Sequence, residues 1–337
     1  MTAPLRIGVL STAKIANGFV AGVAGSPTVQ VAAVASRSAE SAETFATRHA
    51  IPRTHASYEA LLADAEIDAI YNPLPNSLHA EWTAQALNAG KHVLCEKPLT
   101  LTLAEALPLF TLAAARGLVL LEAYPYRYQP QTLRLRQLLG EGAIGQVKLI
   151  QAYFGFSLPE GPNIRLDPTL GGGALLDAGC YAVSLARLAA GQRPLSVLAQ
   201  ARHGSSGVDM ALTGTVHYEG GIVAQVACAM DAAVHRHALV IGSAGMIETD
   251  YLNHTSEARP GHLRIRRGAG WDAALTSESY AAGDGFRFEA EHFARQVALP
   301  VAERDRADEQ LSPQNMATLE ALLASARDGR VVAVGVA

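Results

Sequence analysis

LRIGVLSTAKIANGFVAGVAGSPTVQVAAVAS, residues 5–36, reads as a strand, a helix and a second strand. Its ends, 5–10 and 30–36, are short apolar runs rich in β-branched residues, and the Ala-rich segment between them is long enough for a helix. The same rhythm recurs twice. DAIYN (68–72) and KHVLC (91–95) flank a helical stretch from Leu78 to Asn88, and LVLLEA (118–123) follows a helix from about Leu103 to Arg116. Strands alternating with helices predict an α/β fold with a parallel, doubly wound sheet.

After residue 123 the rhythm changes. A helix over Gln131–Leu139 precedes strand-like runs at 147–156, 195–202, 209–218, 221–230, 237–242 and 262–266, with Glu219-Gly220-Gly221 as a tight hairpin turn. Helices are predicted at Ala174–Ala189 and Ser312–Arg327, the latter with Ser-Pro as N-cap and first-turn proline, and a last strand at 330–335. The expectation is two domains, 1–123 and 124–337, the second α+β with a large, mostly antiparallel open sheet. The last residues are allowed a return to the first domain.

With 337 residues, the chain is long for one core and comfortable for two. A net charge of -4 without any block of like charge argues against a nucleic-acid partner and leaves small molecules. Arg264-Ile265-Arg266-Arg267, the densest basic spot, reads as the solvated face of a strand. No apolar run reaches the ~18 residues that cross a bilayer, so no membrane association is expected. Cys95, Cys180 and Cys228 are odd in number, widely spaced and set in apolar segments, as reduced thiols in a cytoplasmic protein would be.

The first strand-to-helix turn is GVLSTAKIA, residues 8–16. Dinucleotide-binding folds carry G-x-G-x-x-G there, and here Ser11, Ala13 and Ala16 replace the three glycines. A pyrophosphate held by this loop would lie over the amides of Thr12, Ala13 and Lys14, with Ile15 next to it, at the positive end of the helix. Ser11 suits the first position if its backbone torsions are ordinary. Alone, the loop fits a ligand-free turn equally well. The end of the second strand says more, because Ser36-Arg37-Ser38 stands where an NAD-selective site has a carboxylate for the ribose. A guanidinium flanked by hydroxyls suits the 2'-phosphate of NADP, and NAD is the less favoured cofactor. The competing reading makes Arg37 a plain surface residue.

Further motifs carry a resemblance. Residues 68–99 contain Asn72-Pro73-Leu74, Asn76-Ser77-Leu78-His79 and Glu96-Lys97-Pro98; EAYPYRYQPQ follows at 122–131, and RLDPTLGGGALLDAGCY at 165–181. Together they resemble the glucose-fructose oxidoreductase, inositol dehydrogenase and rhizopine-catabolism family over almost the whole chain, most weakly between 200 and 310. GSAGMIETD (242–250) still resembles a recurrent strand-turn of that family. The glycine-poor loop and a tyrosine at position 181 are similar to the branch with dimeric dihydrodiol dehydrogenase and NADP-linked sugar dehydrogenases such as D-xylose dehydrogenase.

The resemblance implies a Rossmann domain followed by an open sheet, and hydride exchange between NADP and a polyol, sugar or dihydrodiol. It implies cofactor contacts from Asn72, Pro73, Leu74, Asn76, His79, Glu96 and Lys97, with Arg127 and Arg165 reaching cofactor or substrate, and a homodimer or homotetramer formed through the second sheet. Lys97 and Tyr181 are the expected catalytic pair, because a neighbouring ammonium favours the phenolate of a tyrosine that otherwise titrates near ~10. Asp177, four residues before Tyr181, is expected on the same helix face. Each has a structural alternative: a strand-end turn for Lys97, a packed aromatic for Tyr181 and a helix-start charge for Asp177. No metal is expected, since His235 and His237 share a strand face without a third ligand near in sequence. Cys180 reads as a packed thiol. The rival readings are an NAD-linked inositol-type dehydrogenase, opposed by Arg37 and Tyr181, and a catalytically silent dinucleotide-binding regulator, opposed by the two intact motifs.

Overall fold

The computed structural model describes residues 3–335. Two compact units divide them. The first takes the chain up to Thr100, Ala104–Pro125 and Asp284–Glu309; the second takes Leu101–Leu103, Tyr126–Gly283 and the chain from Gln310. This differs from a single cut after residue 123, since a late segment belongs with the first unit.

In the first unit a six-stranded sheet is built from β1 (Leu5–Leu10), β2 (Val29–Ala35), β3 (Arg53–His55), β4 (Ala69–Asn72), β5 (His92–Glu96) and β6 (Leu120–Ala123). Its order is β3-β2-β1-β4-β5-β6, with every pairing parallel. Strand order reverses between β1 and β4, and the crevice at such a switch point is where doubly wound sheets bind ligands. The strands read as continuous apolar runs because helices cover both faces. These are α1 (Lys14–Val23), α2 (Ala39–His49), α3 (Tyr58–Leu62), α4 (His79–Asn88) and α5 (Leu103–Ala115). Ser38 and Ser57 cap α2 and α3 by accepting from Ser41 N and Ala60 N.

The second unit opens with α6 (Pro130–Gly140) and contains β7 (Val147–Ser157), α7 (Cys180–Ala190), β8 (Pro194–His203), β9 (Asp209–Tyr218), β10 (Val223–Ala229), β11 (Asp231–Gly242), β12 (Gly245–Thr249), β13 (Gly261–Arg267) and β14 (Leu275–Tyr280). Helix α8 (Gly285–Ala298) returns to the first unit, where Gly18 and Gly22 of α1 leave room for Phe286 and Asp284. Helix α9 (Ala307–Asp328) begins before Ser312, so Pro313 lies inside it and not at its start. Strand β15 (Val332–Ala333) pairs with β8 in the second unit and does not return to the first.

The sheet order is β14-β13-β12-β11-β7-β10-β9-β8-β15. Its pairs are antiparallel except β10 on β7, which run parallel because the chain leaves β7 for α7, re-enters the sheet three positions away at β8, and folds back through β9 to β10. One face is dry, with Ile150, Ala152, Val197, Leu212, Val216, Ala224 and Val226 buried. The stretch Pro168–Ala190 is long and apolar enough to cross a membrane, which sequence reading did not anticipate, yet 83% of its window is buried in the core.

The approach to α7 explains the glycines at 171–173. Gly173 adopts φ 121, a conformation that side chains rarely take, and a Cβ there would strike the Asp209 carboxylate. That carboxylate accepts from Leu175 N at 2.7 Å. Burial pushes the Asp209 carboxyl up to about 6, against the pull of the Leu175 amide. An unfolded aspartate titrates near ~3.9, so folding favours the protonated form. The contribution is complete below that value and is lost as pH rises through 6, about 3 kcal/mol in all. Denaturant titrations at several pH values should therefore show Asp209→Asn gaining stability over the wild type between about pH 4 and pH 7. A difference that stays flat with pH would mean that Asp209 is ionised in the native state throughout.

Candidate functional site

The nucleotide-side residues gather at the carboxyl ends of β1, β2, β4 and β5. Ser11 follows β1 and ties the loop to β2 through its amide on Ala35 O at 2.9 Å. Its φ is 90, so the condition of ordinary torsions is not met: serine takes the positive φ of the replaced glycine, at a cost of about 1–2 kcal/mol. Its Oγ also accepts from Ala13 N at 3.3 Å, which removes one of the three amides expected to face a pyrophosphate. Ala13 is the N-cap of α1 and has no side-chain acceptor. The amides of Lys14 and Ile15, in the first turn, have no partner within the helix and remain available to an anion. Ala16, at the third glycine position, is fully buried.

At the end of β2, the Ser36 Oγ accepts from Ser38 N, and the Ser38 Oγ caps α2. The exposed Arg37 is thereby held at a helix N-terminus, beside the buried Tyr58. Ser36, Arg37 and Ser38 carry no carboxylate, and Glu40 follows in the first turn of α2.

At the end of β4, Asn72 is a brace. Its Nδ2 donates to His79 O and Thr83 Oγ1, and its Oδ1 accepts from Leu74 N, which shapes the Pro73-Leu74 loop. His79 is fully buried, with Nδ1 2.7 Å from Pro98 O and Nε2 2.7 Å from Leu74 O. Two carbonyls ask for two N–H donors, which only the imidazolium supplies. Burial, aided by the nearby Lys97 ammonium, outweighs them and holds the pKa at about 4, so at neutral pH the single N–H can bond only one of the two carbonyls. The His79 ring thus lies between the Leu74 loop and the cis Lys97-Pro98 peptide that follows β5. Glu96 is buried and accepts from Tyr71 Oη at 2.6 Å. Lys97 itself is partly exposed, and Asn76 lies on the 3-10 turn that leads into α4.

The remaining predicted residues belong to the second unit. Tyr181, 5% exposed, is the second residue of α7. Asp177 precedes it in a π-helical turn, Leu175–Gly179, so the expected i, i+4 alignment on an α-helix does not hold. Asp177 is instead bound by Arg165 Nε at 2.6 Å, bringing two predicted residues together as an ion pair. Arg127 is buried at 2% exposure. Cys95, Cys180 and Cys228 are free thiols in the core, and burial pushes Cys95 and Cys228 upward, out of the reactive range.

Two residues around Tyr181 escaped sequence reading. Asn253 Nδ2 lies 3.1 Å from Tyr181 Oη, and the Arg236 guanidinium lies 4.5 Å from the Tyr181 ring centroid. Alternation along β11 held a signal, since Arg236 must face the opposite side of the sheet from His235 and His237.

A parallel sheet in this order, with uncapped helix amides at its switch point and a tyrosine–lysine motif pair in sequence, defines a dinucleotide-dependent oxidoreductase. Comparison with known proteins narrows this. Residues 5–124 match the oxidoreductase family model with an NAD-binding Rossmann fold, and 132–248 match the GFO/IDH/MocA C-terminal domain. The chain is 35% identical over 329 residues to D-xylose 1-dehydrogenase (NADP(+)) 2 of Haloferax volcanii, covering 97% of this chain and 99% of that protein. It is 36% identical over 299 residues to trans-1,2-dihydrobenzene-1,2-diol dehydrogenase of Xenopus tropicalis, covering 87% and 88%. The crystal structure of KijD10, a 3-ketoreductase from Actinomadura kijaniata in complex with NADP and TDP-benzene, superposes with a TM-score of 0.86 at 31% identity, covering 96% and 98%. The protein belongs to the GFO/IDH/MocA oxidoreductase family.

Proposed function

We propose that the protein is an NADP-dependent oxidoreductase acting between a CH–OH group and the corresponding carbonyl of a sugar, cyclic polyol or dihydrodiol, with Tyr181 and Lys97 as its proton-transfer pair. The observation that carries this reading is a buried tyrosine whose phenol oxygen accepts from Asn253, in a chain whose β5 ends at Glu96 and is followed at once by Lys97. A phenol oxygen that accepts a hydrogen bond is biased toward the phenolate, the form that takes a proton from a substrate hydroxyl. The Lys97 ammonium favours the same form. The cofactor, when bound, supplies hydride exchange with the substrate carbon.

The chain's own residues fit that cofactor. Lys14 and Ile15 amides suit the pyrophosphate, and Arg37 between Ser36 and Ser38 suits a 2'-phosphate. Asn72 and His79 shape the loop and fix the strand end that carries Lys97, and the Asp177–Arg165 pair is suited to a substrate hydroxyl. A homodimer or homotetramer is supported by the second sheet's other face, where Leu149 and Leu198 are about half exposed.

The test is a panel containing D-xylose, other aldoses, cyclic polyols and trans-dihydrodiols, read by absorbance of the reduced cofactor. Turnover is expected with NADP, and Arg37→Ala should weaken NADP binding on the order of 10- to 100-fold while leaving NAD unaffected, the worth of one or two charge-assisted bonds. Equal loss for both cofactors would place the 2'-phosphate elsewhere, and a panel without any turnover would revive the silent regulator.

A further inference from the structure

Arg236 is a cation set among rings. Its guanidinium carbon lies 4.5 Å from the Tyr181 centroid, 4.6 Å from those of Phe154 and Tyr251, and 5.6 Å from that of Tyr126. Its Nε is buried and has no hydrogen-bond partner among the described residues. A guanidinium without a carboxylate partner is an expensive thing to enclose, and packing alone would be served better by leucine or methionine.

What the guanidinium does hold is Asn253. Arg236 Nη2 donates to Asn253 Oδ1 at 3.0 Å. Arginine only donates, so this bond settles which end of the amide is oxygen. The other end is then the NH2 group, and at 3.1 Å it donates to Tyr181 Oη. The backbone carbonyl of Asn253 is held in turn by Gln129 Nε2 at 2.6 Å, and the same nitrogen donates to Gly283 O at 3.0 Å.

Other ionisable groups of the second unit surround Tyr181. Tyr126 and Tyr251 are pushed up by burial, Tyr126 to about 12, and stay neutral. Cys228 on β10, which lies against Gly179, is also raised by burial. The neighbouring Cys180 is a buried thiol whose Sγ faces Asp177 O. Asp177 is neutralised locally by Arg165. Burial lowers Arg236 from its ordinary value, with the tyrosines opposing, and an arginine keeps its charge under such a shift.

We propose that Arg236 and Asn253 are positioning residues for the Tyr181 phenolate: the guanidinium places positive charge against the ring and orients the Asn253 amide so that it can only donate to the phenol oxygen. The relay rests on Tyr181 as the acid–base residue, and it adds a second cation, from β11, to the expected lysine. The phenol is thereby held ready to lose its proton from within its own unit.

A titration that needs no substrate tests this. Phenolate absorbance of the full-length protein is followed against pH with saturating NADP, and the curve of a Tyr181→Phe background is subtracted, leaving the ionisation of Tyr181. Arg236→Gln is expected to raise that midpoint by about one pH unit or more, which lowers the ionised fraction about tenfold at any pH below it. Arg236→Lys, which keeps the charge, should recover most of the shift. Asn253→Ala, which leaves Arg236 in place, should raise the midpoint by a smaller amount, and it carries the test should Arg236→Gln fail to fold. A midpoint unmoved in both Arg236→Gln and Asn253→Ala overturns the relay. The base assignment is judged separately, by turnover of Tyr181→Phe, so the two ideas stand or fall on different readouts.

Discussion

Tyr181→Phe is expected to lower turnover by about 10²- to 10⁴-fold while leaving NADPH affinity unchanged, the range that general acid–base catalysis supplies. The variant isolates chemistry from packing. The ring meets Phe154 edge-on with centroids 5.3 Å apart, approaches Tyr126 at 6.0 Å, and lies under Arg236. Phenylalanine preserves all of these contacts and removes only Oη. The loss of the acceptor for Asn253 costs about 1 kcal/mol, so thermal unfolding should shift little on that account. A large fall in kcat with an intact melting curve and intact NADPH titration identifies Oη as the proton carrier. Turnover within tenfold of the wild type would place the carrier on another residue, and the Asp177–Arg165 pair would become the first candidate.

The parallel sheet was legible because its strands are buried on both faces and so read as apolar runs in sequence. Strand β3, Arg-Thr-His, was not, since three polar residues on a sheet edge carry no hydrophobic period. Strand β14 hid for the same reason: LTSESY is mostly exposed, and its place is fixed by pairing with β13. The late segment that joins the first unit is set by packing of Phe286 on Phe19 and by the gap at Gly18, contacts that no local pattern announces.

At the site, several roles of the motif residues are invisible in the sequence. Asn72 and His79 looked like cofactor contacts, yet their side-chain polar atoms bond within the protein. Ser11 suits the first-glycine position in sequence only if its torsions are ordinary, and its φ of 90 does not meet that condition. In His235-Arg236-His237 the two histidines carry the metal-like spacing, while the residue that meets Tyr181 is the arginine between them. The pattern showed which side chains share a face, and only the tertiary arrangement shows which face meets Tyr181.

Lys97→Met is expected to be nearly as damaging as Tyr181→Phe, with NADPH still bound. Methionine keeps the length and apolar stem of lysine and removes the charge. The backbone on both sides is fixed independently of that side chain: Glu96 accepts from Tyr71, and the Pro98 carbonyl meets His79. A drop of about 100-fold or more in turnover would therefore report the missing ammonium and not a displaced strand end. Arginine should fail to rescue, because its planar fork cannot place a compact charge where lysine does. The double variant Lys97→Met with Tyr181→Phe is the sharper experiment. Residues that act as one unit lose their effect once, so the double variant should be about as slow as the slower single variant. Losses that multiply would mean that Lys97 and Tyr181 act separately, with Lys97 serving cofactor or substrate binding. In that case the field that readies Tyr181 would have to come from its own unit, where Arg236 already stands against the ring.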